Sequence, residues 1–353
     1  MPNTPPKTPI EVGILGATGT VGQQFIRLLD GHPWFRPAWL AASERSEGRP
    51  YEDAAAWRVD VPMPDAVRRV QVQPCTPGRG PALVFSALDA AAADTLEPAF
   101  AAAGHIVVSN ARSMRMDPAV PLLIPEVNPE HLDILPRQRR ERGWNGAIVT
   151  NPNCSTVVLA MTLAPLRRFG LQSVIVTTLQ AVSGAGYPGV PSLDIIGNVI
   201  PNIPGEEAKV ESETQKILGA LKDERFEPHE VVVSAHTTRV PVVDGHTMTI
   251  AVSMADKPSL TAVRESLASF RGRPQEWKLP SAPVHPIVCF DGADRPQPRF
   301  DAGRGSGMTV TVGRIRPCPV LGTKLVALGH NTVRGAAGAA LLNAELMASA
   351  ELL

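Results

Sequence analysis

The sequence predicts an α/β protein of two domains, a doubly wound parallel sheet followed by an α+β domain. Three observations carry this. Short apolar strands alternate with helical patterns over residues 12–150, a rhythm that builds parallel sheets covered on both faces. A glycine-rich turn, Gly16-Ala17-Thr18-Gly19-Thr20-Val21-Gly22, joins the first strand to the first helix. After about residue 153 the texture changes to long β-branched stretches interrupted by Gly and Pro, which suits a mixed or antiparallel sheet. The length of 353 residues favours two cores over one, and 44% hydrophobic residues can fill them.

Residues 1–10 read as a flexible leader. Val12–Leu15 is a short buried strand, and the helix after the glycine turn places Val21, Phe25, Leu28 and Leu29 on one face, with Pro33 ending it. Ala38–Ala42 closes the first strand–helix–strand unit. Ala82–Ser86, Ile106–Ser109 and Ala147–Thr150 are further strands, and Ala90–Ala103 is a helix between two of them. Arg137–Arg142 reads as a solvated surface segment without a ligand. Beyond it come a helix over Ser155–Phe169 and strands over Ser173–Leu179, Val231–Thr238 and Thr247–Val252. Gly184–Pro204 suggests long loops and an exposed arm, and the Ala-rich tail from Asn331 reads as one long helix. The domains are expected at 1–152 and 153–329.

The 34 basic and 34 acidic residues cancel, so nothing draws the chain to nucleic acid or to an anionic membrane. The four cysteines form no CxxC pair, and no metal site is expected. The polar, Pro-rich start carries no apolar signal, and no run of about 18 apolar residues occurs. A cytoplasmic protein with reduced thiols is the expectation.

Two places carry chemistry. In the glycine turn, Gly16, Thr18, Gly19, Thr20, Val21 and Gly22 would bring backbone N–H groups and the positive end of a helix to a pyrophosphate. The spacing is GxxGxxG rather than GxGxxG, and a tight turn with no ligand is the plainer alternative. Where an NAD-binding unit would place an acid, this chain has Ser43-Glu44-Arg45-Ser46. Ser43, Arg45 and Ser46 suit a 2′-phosphate, favouring NADP(H), while Glu44 alone would suit NAD. The second place is Asn151-Pro152-Asn153-Cys154-Ser155-Thr156, a handover from strand to helix. A cysteine there lies where the helix dipole favours the thiolate nucleophile. His246, opening a β-branched strand after an Asp-Gly turn, is the candidate proton carrier, with His236 its nearest rival.

Taken in order, GATGTVG, ASERSEG, SNARSMRMDP with PEVN, NPNCST, LQAVSGAGYPG, IPGEEAK, RVPVVDGHT and LGHNTVRGAAG resemble the aspartate-semialdehyde dehydrogenase family over nearly the whole chain. ASERS and GEEAK look more like its archaeal and fungal branch. Arg112 and Met114 depart from the small or aromatic residues more usual there. The resemblance implies an N-terminal Rossmann-type domain, a catalytic and dimerisation domain, and a C-terminal helix, within 330–353, returning to the first. It implies NADPH-dependent reduction of aspartyl-β-phosphate to the semialdehyde through a cysteine thioester, in lysine, threonine and methionine synthesis, by a homodimer or homotetramer. It further implies Cys154 as nucleophile, His246 as general acid/base and Gln180 orienting the thioester. Arg239 would grip the substrate α-carboxylate and Glu206 the α-ammonium, with Arg115, Asn153 and Lys209 at the leaving phosphate. Ser183, Gly184 and Gly186 would border the nicotinamide, with Asn331 close by. The alternatives are a malonyl-coenzyme A or N-acetylglutamyl-phosphate reductase, or a dinucleotide-binding regulator without chemistry. The Glu206/Arg239 pair suits an amino acid better than malonate.

Overall fold

The computed structural model describes residues 6–353; the first half of the expected leader therefore lies outside the described residues, and the chain is already in strand at Ile10. The first sheet is parallel throughout. Its strands are β1 (Ile10–Leu15), β2 (Phe35–Ala42), β3 (Gln73–Pro74), β4 (Leu83–Ser86), β5 (Ile106–Ser109) and β6 (Ala147–Thr150). They lie in the order β3-β2-β1-β4-β5-β6, the doubly wound order of dinucleotide-binding domains. β4, β5 and β6 are buried at every residue, as expected where helices cover both faces. β2 begins earlier than its sequence pattern suggests. Pro37, which lacks an N–H, is accommodated where the register with β1 shifts between Val12 and Gly13.

α1 (Thr20–Leu29) packs on one face and α2 (Ala90–Ala102) on the other, while α3 (Leu135–Arg142) carries the basic run on an exposed side. α1 stops at Leu29, four residues before the expected breaker Pro33.

The second sheet is mixed. β7 (Leu171–Gln180), β8 (Val232–Arg239), β9 (His246–Met254), β10 (Ile287–Cys289), β11 (Val310–Cys318) and β12 (Gly322–Gly329) run in the order β8-β7-β9-β12-β11-β10. β7 pairs with β8 in parallel and with β9 antiparallel. Its buried face is covered by α4 (Cys154–Leu163), α5 (Glu206–Leu218) and α6 (Leu260–Ser269). The opposite face is open, with Ile175, Leu179 and Val232 exposed along β7 and β8. The segment after β7 is largely exposed, with short helical turns at Val182–Ala185 and Ser192–Ile195, in line with the expected arm.

Two expectations on helices need correcting. The helix expected over Ser155–Phe169 is α-helical only to Leu163; Pro165 withholds an N–H, and Ala164–Phe169 tightens into a 3₁₀ turn. The tail is not one continuous α-helix either. Val333–Ala337 forms a π-turn, and α7 (Gly338–Ser349) follows. The widened turn brings Gly335 against Cys154, so close that a Cβ on Gly335 would stand 2.6 Å from Cys154 Cβ. α7 packs into the core of the first sheet, its Leu341, Leu342 and Leu346 sharing one cluster with Val12, Phe25 and Phe85. Polar ties hold it there. Arg334 makes a doubly bonded, fully buried pair with Glu126 at 2.8 and 2.7 Å, and Glu345 accepts from the Ser281 backbone and faces His32 Nε2 at 2.9 Å.

Candidate active site

β6 ends at Thr150, and three residues later Asn153 caps α4. Its Oδ1 accepts from the amides of Ser155 and Thr156 at 2.9 and 3.2 Å. Cys154 is thereby the first residue of the helix. His246 opens β9, the central strand beside β7, and its Nε2 stands 3.2 Å from Cys154 Sγ. His236 points out on the open face of the second sheet, so the sheet's alternation separates the two rival histidines.

Burial and the neighbouring Glu206 carboxylate push the Cys154 thiol up, against the opposing pull of Arg115, Arg239 and the Ser155 amide. Burial and Arg239 push the His246 imidazole down. Both shifts favour the neutral forms of the pair. This differs from the thiolate expected of a helix N-terminus: a dipole contributes a few tenths to ~2 kcal/mol, and desolvation of a buried anion exceeds it.

Around the sulfur, strand ends and one helix face deliver the remaining groups. Gln180 ends β7 and Arg239 ends β8 in register beside it. Arg239 Nη1 donates to the Ala181 carbonyl at 2.9 Å and lies 3.4 Å from Gln180 Oε1. Gly184 follows, where a Cβ would stand 2.9 Å from Arg239 Nη1 and 3.0 Å from His246 Cε1, so any side chain there would press on both. α5 presents Glu206, Lys209, Glu213 and Lys216 at helical spacing. Glu206 accepts from Asn153 Nδ2 at 2.7 Å and meets Lys209 at 3.5 Å.

Glu213 and Lys216 were not found by sequence reasoning. Glu213 takes Arg115 Nη1 on one oxygen at 3.0 Å and the Asn153 amide on the other at 2.6 Å. Lys216 Nζ donates to the carbonyls of Arg115, Asp117 and Val120 at 2.8, 2.9 and 2.8 Å. Together they fasten the loop carrying Arg115 to the nucleophile helix. Arg115 is 8% exposed and its Nε has no partner, an orphan donor suited to an incoming anion. Asn153, expected at the leaving phosphate, places its side chain on the cap and on Glu206.

The glycine turn fits a dinucleotide. α1 starts at Thr20, and its N-cap Gly19 offers no side-chain cap, leaving its first amides free. Gly16 has φ of +75° and a Cβ there would meet Ala87 O at 2.6 Å, while one on Gly22 would meet Gly16 O at 2.4 Å. Gln23 and Tyr51, also missed, brace the turn by bonding Thr18 O and Ala17 O at 2.9 and 2.8 Å. A cavity of about 630 Å³ on one side is lined by Gly16, Thr18, Gly19, Ser43, Glu44 and Thr76. On the other side Thr20, Ser183, Gly186 and Asp244 line one of about 480 Å³. Val21 and Gly22 build the turn without lining either, and Arg45 and Ser46 stand off the walls, Arg45 exposed and Ser46 buried in a 3₁₀ turn. Asn331 joins two loops of the second domain, accepting from the Gly245 amide at 2.8 Å and donating to Ser183 Oγ at 2.7 Å. Among the described residues no group of His, Cys, Asp and Glu is arranged to hold a metal ion, and no helix is long and apolar enough to cross a membrane.

Residues 11–135 match the family described as semialdehyde dehydrogenase, NAD binding domain, and residues 163–334 that described as semialdehyde dehydrogenase, dimerisation domain. The aspartate-semialdehyde dehydrogenase of Methanothermobacter thermautotrophicus is 51% identical over 96% of this chain and 99% of its own. That of Cryptococcus neoformans is 48% identical over 97% of each. The crystal structure of the Candida albicans aspartate-semialdehyde dehydrogenase with NADP superposes with a TM-score of 0.90 at 42% identity, covering 98% of this chain and 100% of that one.

Proposed function

The chain belongs to the aspartate-semialdehyde dehydrogenase family, and on that premise we propose that it reduces L-aspartyl-4-phosphate to L-aspartate-4-semialdehyde and phosphate with NADPH, in amino-acid biosynthesis. The observation that carries this is the contact of Cys154 Sγ with His246 Nε2 at 3.2 Å, with the charges of Arg115, Arg239 and Glu206 acting on the same sulfur.

Cys154 is the nucleophile. It attacks the acyl carbon and forms a thioester, and phosphate departs toward Arg115, with its unpartnered Nε, and Lys209. NADPH, held along the glycine turn, supplies the hydride that takes the thioester to the aldehyde level. His246 presents a proton at Nε2. Gln180 orients the acyl oxygen beside Arg239, whose fork suits the α-carboxylate; Glu206 is the counter-charge for the α-ammonium. Asn153 positions the sulfur through its cap. Gly16, Thr18, Gly19 and Thr20 serve the pyrophosphate, Ser43 the ribose end, and Ser183, Gly184, Gly186 and Asn331 the nicotinamide end. Arg45 can reach a 2′-phosphate only by turning inward from its exposed position.

The two sheets support a division into residues 1–152 with 330–353, and 153–329. The dimerisation family match and the open apolar face of the second sheet support a homodimer, with pairing into tetramers left to other surfaces. The substrates support a cytoplasmic location. The test is the reverse reaction. Enzyme with aspartate semialdehyde, phosphate and NADP should generate NADPH absorbance, and Cys154→Ala should generate none while binding NADP. Turnover of malonyl-coenzyme A in its place would overturn the substrate assignment.

A further inference from the structure

His246 has a second contact that acid/base duty does not require. The Ala181 amide donates to its Nδ1 at 3.1 Å while Nε2 faces Cys154 Sγ at 3.2 Å. A main-chain amide has a proton and no lone pair to offer, so Nδ1 must be the acceptor. A neutral imidazole carries one proton, which then stands on Nε2 and points at sulfur. Turning the ring over would set carbon atoms against both partners. An imidazolium would place a second N–H against the Ala181 amide. That amide cannot swing away: the Ala181 carbonyl accepts from Arg239 at 2.9 Å, and the next amide, Val182, donates to Val242 O at 2.8 Å. The charged and titratable groups about the ring are Arg239, His330 and Cys154, with Asp244 acting on His330; the fixed positive charge of Arg239 also opposes a second proton.

We propose that the Ala181 amide locks His246 as the Nε2–H tautomer, so that the imidazole is a one-proton donor to sulfur and to the reacting acyl oxygen, and never the base that takes the thiol proton. This rests on the acyl-phosphate reading above. The proton balance then changes. As the sulfur–carbon bond forms and the carbon–oxygen bond to phosphate breaks, the thiol proton goes to the departing phosphate, which leaves as hydrogen phosphate. No net proton is taken up by the protein in acylation. When the reduced adduct collapses, the carbon–sulfur bond breaks and sulfur keeps the electron pair. The resulting thiolate is held by the same Nε2–H until a solvent proton restores the thiol.

The experiment is long-range ¹H–¹⁵N NMR of the NADP-loaded enzyme labelled at histidine nitrogen, with His246 assigned by its loss in His246→Gln. The expected pattern is a protonated Nε2 and a bare Nδ1, unchanged from about pH 6 to about pH 9. An imidazolium pattern, or the Nδ1–H tautomer, anywhere in that range overturns the proposal. Turnover gives a second readout. Glutamine keeps an N–H donor but cannot exchange protons. His246→Gln is expected to lose about tenfold in kcat and His246→Ala about a thousandfold, and equal losses count against the lock. Failure of the wild-type reverse assay would sink the substrate assignment while leaving the tautomer readable, since the NMR needs no turnover.

Discussion

The nucleophile rests in its less reactive form. Burial and Glu206 hold Cys154 as a thiol, so the attacking thiolate is made during the reaction rather than stored. The sign is testable. Because the thiol is pushed up, its thiolate fraction grows with pH, and alkylation of the free enzyme by iodoacetamide should keep rising through the alkaline range. A plateau reached by neutral pH would contradict the resting state described here. Glu213 gives a second prediction at this scale. Its carboxylate holds both Arg115 and the Asn153 amide, and an amide side chain can accept only one of these while turning an N–H on the other. Glu213→Gln should therefore raise the KM for phosphate in the reverse assay about tenfold and move that for aspartate semialdehyde little, a split that general loosening would not produce. The sequence exposes Cys154 because a strand meets a helix there and its flanking Asn and Ser/Thr residues are capping types. It hides Glu213 and Lys216, because charged residues inside a helix ordinarily read as its wet face. Only their alignment with Glu206 and Lys209 on one side of α5 marks them, and that face is known to be buried only once the Arg115 loop is seen against it.

Among the elements, β4, β5 and β6 were legible nearly to the residue, since each is a short apolar run bounded by turn residues; β1 and β2 begin before their patterns suggest, and the two-residue β3 was not read. The ends of helices were less so. Pro165 could be read either as an interior residue or as a stop, and the π-turn left no periodic signature, because the Ala-rich run Gly335–Ala340 satisfies any helical phase. What imposes the wide turn is tertiary: the backbone at Gly335 touches the first residue of α4. Gly335→Ala should cost ~1–3 kcal/mol from overpacking, read as a lower Tm. It should also cut kcat by more than the fraction unfolded accounts for, since the displaced atom is Cys154 Cβ itself. A variant that loses stability yet keeps full kcat would show that this contact is scaffolding alone.

For the whole molecule, charge balance leaves apolar surface as the driver of association. The open face of the second sheet carries Ile175, Leu179 and Val232, 46, 37 and 64% exposed, at alternating strand positions whose partners on the other side fill the core. Ile175→Asp should shift the oligomer toward smaller species in light scattering at unchanged secondary structure; an unchanged mass would place the interface elsewhere. The change from a parallel to a mixed sheet was legible from the change of texture near residue 153, but the depth of the return was not, since α7 reads as an undistinguished Ala-rich helix. That return has a consequence for biosynthesis. The first sheet is completed by a helix translated after the entire second domain, so a nascent chain on the ribosome carries an open hydrophobic seam beside Phe25 and Phe85 until α7 emerges. A message cut short before Val333 would then yield a protein with every proposed catalytic side chain present and no sealed floor beneath its cofactor turn.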